Sequence, residues 1–184
     1  MKARVPIFQA LLAAPVLAAL LSAPVQAEDL DTLYDRLRAA SADDSPAIEA
    51  EIEAEWQKSG SAAMDLLLRR GQDALADGQA GAAIDHFSAL IDHAPDFAEG
   101  YNARAAAFFQ QGMFGQAIDD IAHVLMLDPR HYTAITGLAL MFEEMDRPAD
   151  AADAYRAALA INPHLAGAEE NIKRLEAETA GREI

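Results

Sequence analysis

The chain has 184 residues, 30 acidic and 14 basic, for a net charge of −16 with histidine neutral, and it contains no cysteine. That balance excludes a nucleic-acid binder, which needs clustered Lys and Arg to neutralise phosphates. The missing thiol excludes disulfides, thiolate metal sites and a lipidated cysteine. The 52% apolar fraction leans on alanine, which suits close helix packing better than a thick core.

Residues 1–27 open with Lys2 and Arg4, run apolar from Ile7 to Leu21, and end in Ser22-Ala23-Pro24-Val25-Gln26-Ala27. This is the layout of a secretory signal peptide, with Val25 and Ala27 before the cleavage point and Glu28 as the mature start. The apolar run is interrupted by Pro15 and is shorter than the roughly 20 residues that span a bilayer, so a cleaved leader is expected rather than an anchor. Cleavage removes two basic residues and no acidic one, leaving 12 basic against 30 acidic residues and a net charge of −18. The expected location is periplasmic, with no membrane attachment after cleavage.

Residues 28–61 read as a helical hairpin. Leu30, Leu33, Tyr34 and Leu37 form one stripe, and Ile48, Ile52 and Trp56 form a second, begun by Pro46 with Ser45 as its cap. Ser59-Gly60-Ser61 breaks the chain. The hairpin is expected either to be a decayed repeat or to cover the exposed face of the first full repeat, with Trp56 packed between the hairpin and that repeat.

From Met64 to Leu165 one unit of 34 residues is written three times, over 64–97, 98–131 and 132–165. Pro95, Pro129 and Pro163 fall in step, as do Gly71, Ala105 and Ala139, and Ala83, Ala117 and Ala151. Within each unit a first stripe has i, i+4, i+7 spacing: Leu67, Gly71 and Ala74; Tyr101, Ala105 and Phe108; Ile135, Ala139 and Phe142. A break follows at Asp77-Gly78, Gln111-Gly112 or Asp146-Arg147-Pro148. The second stripe is Ala83, Phe87 and Leu90, then Ala117, Ile121 and Val124, then Ala151, Tyr155 and Ala158. Short side chains at the glycine and alanine columns let two helices approach, and each closing proline ends one hairpin and suits the start of the next helix.

This pattern resembles the tetratricopeptide repeat family, whose 34-residue unit carries small residues at these columns, an aromatic in each helix and a closing proline. The match is good at the three prolines, at both small-residue columns, at Phe108 and Phe142, and at Phe87 and Tyr155. It departs where Arg70 and Arg104 occupy the leucine column and where Ala74 replaces an aromatic. The resemblance implies an all-α fold, a right-handed α-α superhelix of three repeats with an N-terminal hairpin. Residues 166–184, with Ala168, Ile172 and Leu175 on one face, are expected to form a capping helix ending in a frayed tail from Thr179.

No catalytic constellation emerges. The five histidines lack the i, i+4 pair with glutamate of a zinc hydrolase helix, and there is no phosphate loop or nucleophile elbow. The reading is a non-enzyme without cofactor or metal. If each first helix buries its stripe, its other flank faces the concave side, placing Asp65, Leu68, Gln72, Glu99, Asn102, Phe109, Thr136, Leu140 and Glu143 in a protein-binding groove. Leu75, Ala106 and Thr133 lie on the same flank. Family members that grip a partner's terminal carboxylate use Lys, Arg and Asn here, and only Asn102 has that character. The expected partner is therefore a protein segment with basic residues around an apolar anchor. The expected function is a periplasmic scaffold or adaptor binding a peptide or helix of an envelope protein. The alternatives are a self-associating structural protein, which would be a homo-oligomer paired through its end faces or its groove, and an accessory subunit of an envelope enzyme.

Overall fold

The computed structural model describes residues 29–182, so the leader read at 1–27 lies outside the described residues. Among those residues there are nine helices and no strand: α1 (Leu30–Ala39), α2 (Ser45–Trp56), α3 (Ala62–Ala76), α4 (Ala80–His93), α5 (Ala98–Gln110), α6 (Phe114–Leu127), α7 (Tyr132–Glu144), α8 (Pro148–Ile161) and α9 (Ala168–Arg182). The pairs α3/α4, α5/α6 and α7/α8 are the three repeats, stacked as an α-α superhelix. The tail expected to fray from Thr179 instead continues α9, and the Thr179 hydroxyl donates to the Leu175 carbonyl.

The turn inside each repeat has one geometry, and it explains the break residues. The backbone N–H of Gln79, Met113 and Arg147 bonds the carbonyl five residues back, at Ala74, Phe108 and Phe142. The residue before each donor is left-handed, Gly78 at φ 74°, Gly112 at φ 70° and Asp146 at φ 59°. Glycine adopts this conformation freely, and aspartate tolerates it better than most residues.

The small-residue columns pack as expected, with Ala83, Ala105, Ala117, Ala139 and Ala151 wholly buried. At Gly71 the approach is closest: a Cβ there would stand 2.3 Å from the Phe87 ring. Gly71→Ala is expected to lower stability by about 1–3 kcal/mol through this overlap, less up to about 1 kcal/mol recovered from helix propensity. An unchanged or raised denaturation midpoint would show that the ring turns aside freely.

The arginine in the leucine column of the second repeat has a specific partner. Arg104 donates from Nε and Nη2 to the two oxygens of buried Asp120, at 2.8 and 2.7 Å, and from Nη1 to Ser88 Oγ at 3.1 Å. It therefore joins α5 to α6 and to α4 of the preceding repeat.

The N-terminal hairpin is neither of the things expected of it. It does not extend the array, and it does not cover the open face of the first repeat. On that face Leu66 is 42% exposed and Arg69, Arg70 and Asp73 are exposed. One and two repeats later the columns of Leu66, Arg69 and Asp73 hold Gly100, Ala103 and Ala107, then Ala134, Gly137 and Met141, nearly all buried. Charge thus ends the stack where small or apolar residues would continue it. On this side charged residues thus surround the exposed Leu66, and α9 packs over α8 at the other end.

Instead, α2 runs across the corners where one repeat passes to the next. Asn162 Nδ2 donates to Glu49 Oε1 at the α8–α9 corner, and Trp56 Nε1 donates to Asp128 Oδ2 at the α6–α7 corner. Tyr34 also donates to Asp128 Oδ2, while Asp128 Oδ1 caps its own turn by accepting from Arg130 N. The Trp56 ring stacks on His131 at 3.9 Å between centroids and 7° between planes. Trp56 is thus packed against the junction of the second and third repeats, not against the first, because the aromatic surface and the free carboxylate lie there. Ser45, expected to cap α2, is its first residue, and Asp44 takes the cap position.

Three tyrosines are held neutral by this packing. Burial, then its bond to Glu143, pushes Tyr155 up to about 12, and burial also raises Tyr34 and Tyr132. These groups have a folded pKa above the unfolded value near 10, so their contribution is complete below that pH and is lost as pH rises. The melting temperature is expected to fall progressively between about pH 10 and 12 as tyrosinate absorbance grows. A flat profile to pH 12 would refute the assignment.

Candidate functional site

The first helices of the repeats, α3, α5 and α7, line the concave side, and between them opens a pocket of about 390 Å³. The size is within the usual range for ligand pockets. Helical spacing explains which residues reach it: Gln72 and Leu75 on α3; Glu99, Asn102, Ala106 and Phe109 on α5; Thr133, Gly137 and Leu140 on α7. Leu140 is 44% exposed, and Phe109 is half-buried with its ring tilted against Phe114.

Of the nine groove residues expected from sequence, five line this pocket: Gln72, Glu99, Asn102, Phe109 and Leu140. Leu68 does not, being 1% exposed in a core cluster with Phe87 and Leu90, because it points between α3 and its neighbours. Asp65 is occupied in local capping, accepting from Ser59 N and Ser59 Oγ, and these bonds hold its carboxyl below the usual range. Thr136 turns its hydroxyl back to the Tyr132 carbonyl, and Thr133 and Gly137 beside it line the pocket instead. Glu143 accepts from Tyr155 and pairs with Arg174, tying α7 to α8 and α9.

At one end the pocket has a connected polar network. Glu99 is 7% exposed. Its Oε1 accepts from Gln57 Nε2 at 3.2 Å and its Oε2 from Asn102 Nδ2 at 3.0 Å. Gln57 Oε1 in turn accepts from Gln72 Nε2 at 3.0 Å. His131 Nδ1 accepts from Ala134 N, so a ring proton belongs on Nε2, which lies 3.3 Å from Glu99 Oε2 without hydrogen-bond alignment. Gln57 and His131 escaped the sequence reading. Gln57 belongs to the hairpin, whose docking no periodicity encodes. His131 carried a signal, a polar residue in a column otherwise held by Phe97 and Leu165.

The fold and this groove define a helical-repeat array with a concave, largely apolar groove. No protein-family model matches the chain. A TPR repeat-containing protein of Rhizobium etli is 34% identical over 153 residues, which cover 83% of this chain and 75% of the relative. The chain therefore belongs to the tetratricopeptide-repeat-containing proteins. Among solved structures, the TPR domain of Arabidopsis OM64 matches 61% of this chain and 93% of its own length, at 28% identity and a TM-score of 0.58. The first TPR domain of Spaghetti (RPAP3), determined with the HSP90 peptide SRMEEVD bound, matches 64% of this chain and 93% of its own length at 20% identity and a TM-score of 0.61.

Proposed function

We propose that the protein is a non-enzymatic scaffold of the bacterial periplasm that holds a peptide or helix of an envelope protein in its concave groove. The observation that carries this reading is the open pocket on α3, α5 and α7, apolar along its length and polar at one end. The peptide-bound RPAP3 domain supports it at the level of fold. Export rests on the leader-like sequence of residues 1–27.

Leu140→Glu tests the groove, because this exposed side chain lines the pocket and can be changed without opening the core. A partner crosslinked to the native protein in an envelope fraction is expected to lose about tenfold in affinity for the variant, with the melting temperature unchanged. Equal binding by both proteins moves the site elsewhere. Export is tested on fractionated cells: a periplasmic protein beginning at Glu28 supports it, and an intact chain starting at Met1 opposes it.

A further inference from the structure

We infer that the groove selects an apolar segment carrying a lysine or arginine, whose charge is received by the Glu99 carboxylate. This rests on the groove being the binding surface proposed above. Glu99 supplies the single charged side chain among the pocket's lining residues, and no Lys or Arg lines it. Its two oxygens are held by the neutral donors Gln57 and Asn102, and His131 Nε2 stands 3.3 Å from Oε2 without hydrogen-bond geometry, so the carboxylate is oriented but is paired with no lysine or arginine. A carboxylate removed from water gains most from a charge-assisted bond, and an incoming ammonium or guanidinium supplies one. The apolar walls, Leu75, Ala106, Phe109 and Leu140, suit the aliphatic stem and its flanking residues. The chain's net charge of −16 favours approach of a basic segment and disfavours a segment ending in carboxylates. Gln57 is a positioning residue: it reaches from the hairpin to Glu99 and is itself anchored by Gln72.

The test is selection of displayed random 12-residue peptides on the chain from Glu28 to Ile184. The tightest binder is then synthesised alongside a form with norleucine at its basic position. Enriched sequences are expected to carry Lys or Arg between apolar residues, and the basic peptide to bind about tenfold tighter than its norleucine form. That ratio is expected to collapse towards one in Glu99→Gln and to persist in Asp119→Asn, the same charge change at an exposed position on α6. Gln57→Ala, which leaves the net charge intact, is expected to lower the ratio about threefold and serves if Glu99→Gln does not fold. Enrichment of neutral or acidic peptides overturns the inference, as does a ratio untouched by both Glu99→Gln and Gln57→Ala. If those peptides are still rejected by Leu140→Glu, the groove reading survives alone. Peptides bound equally by Leu140→Glu, or no enrichment at all, remove both.

Discussion

Trp56→Ala is expected to detach the N-terminal hairpin while leaving the three repeats folded. The indole is 7% exposed, stacked on His131, tilted against Tyr132 at 5.1 Å and Tyr34 at 6.5 Å, and bonded to Asp128. Truncating a tryptophan in such a setting costs about 3–5 kcal/mol, and it also leaves Asp128 with one donor fewer. The repeats bury their own clusters, around Phe87, Ile121 and Tyr155, whereas the hairpin shares its core with the array through Tyr132, Ile161 and Leu165. In a quasi-one-dimensional array the loss therefore falls on the one attachment and not on the stack. Limited proteolysis should cut the variant between residues 40 and 61 while the fragment from residue 62 onward stays protected. Thermal unfolding should gain an early transition. One shifted transition without new cleavage would mean that hairpin and repeats fold as a single unit.

Asp120→Ala should produce the largest loss inside the repeats. It removes both acceptors of a bidentate pair at a residue 4% exposed and leaves the Arg104 guanidinium between α4, α5 and α6 with the Ser88 hydroxyl and the faces of Tyr101 and Phe108 but without its paired carboxylate. Breaking a buried pair from one side costs about 3–5 kcal/mol, and the lower figure applies because Arg104 keeps some access to water, with 20% of its side chain exposed. The third repeat shows the apolar solution to the same geometry, with Leu138 and Ala154 in the columns of Arg104 and Asp120. Arg104→Leu combined with Asp120→Ala is therefore expected to recover most of the lost stability, since replacing both partners removes the unpaired charge. A double variant as unstable as Asp120→Ala would assign the loss to packing and not to charge.

These two sites also mark how far the sequence could be read. The hairpin repeats and their turns follow from local rules: a 3.6-residue stripe, a small residue where helices cross, a left-handed position at 78, 112 and 146, and a proline every 34 residues. Each acts over a few residues, so one sequence suffices to find it. Five of the nine residues assigned to the groove from that periodicity line the pocket, because it fixes which flank of α3, α5 and α7 turns inward. Leu68 and Thr136 lie beside that flank, and Asp65 and Glu143 are engaged by Ser59, Tyr155 and Arg174 on other elements.

The sequence by itself determined the class of fold, its division into helical hairpins, and the inward flank of each first helix. Only the tertiary structure decided where the hairpin docks and what completes the polar end of the groove. The hairpin's amphipathic stripes state that it must bury an apolar face, but several apolar surfaces satisfy that requirement. The choice was made by Asp128 and Asn162, whose polar atoms meet Tyr34, Trp56 and Glu49 across 72 to 113 positions of sequence, and by His131, on which the Trp56 ring stacks, and these partners are in place only once the repeats have stacked.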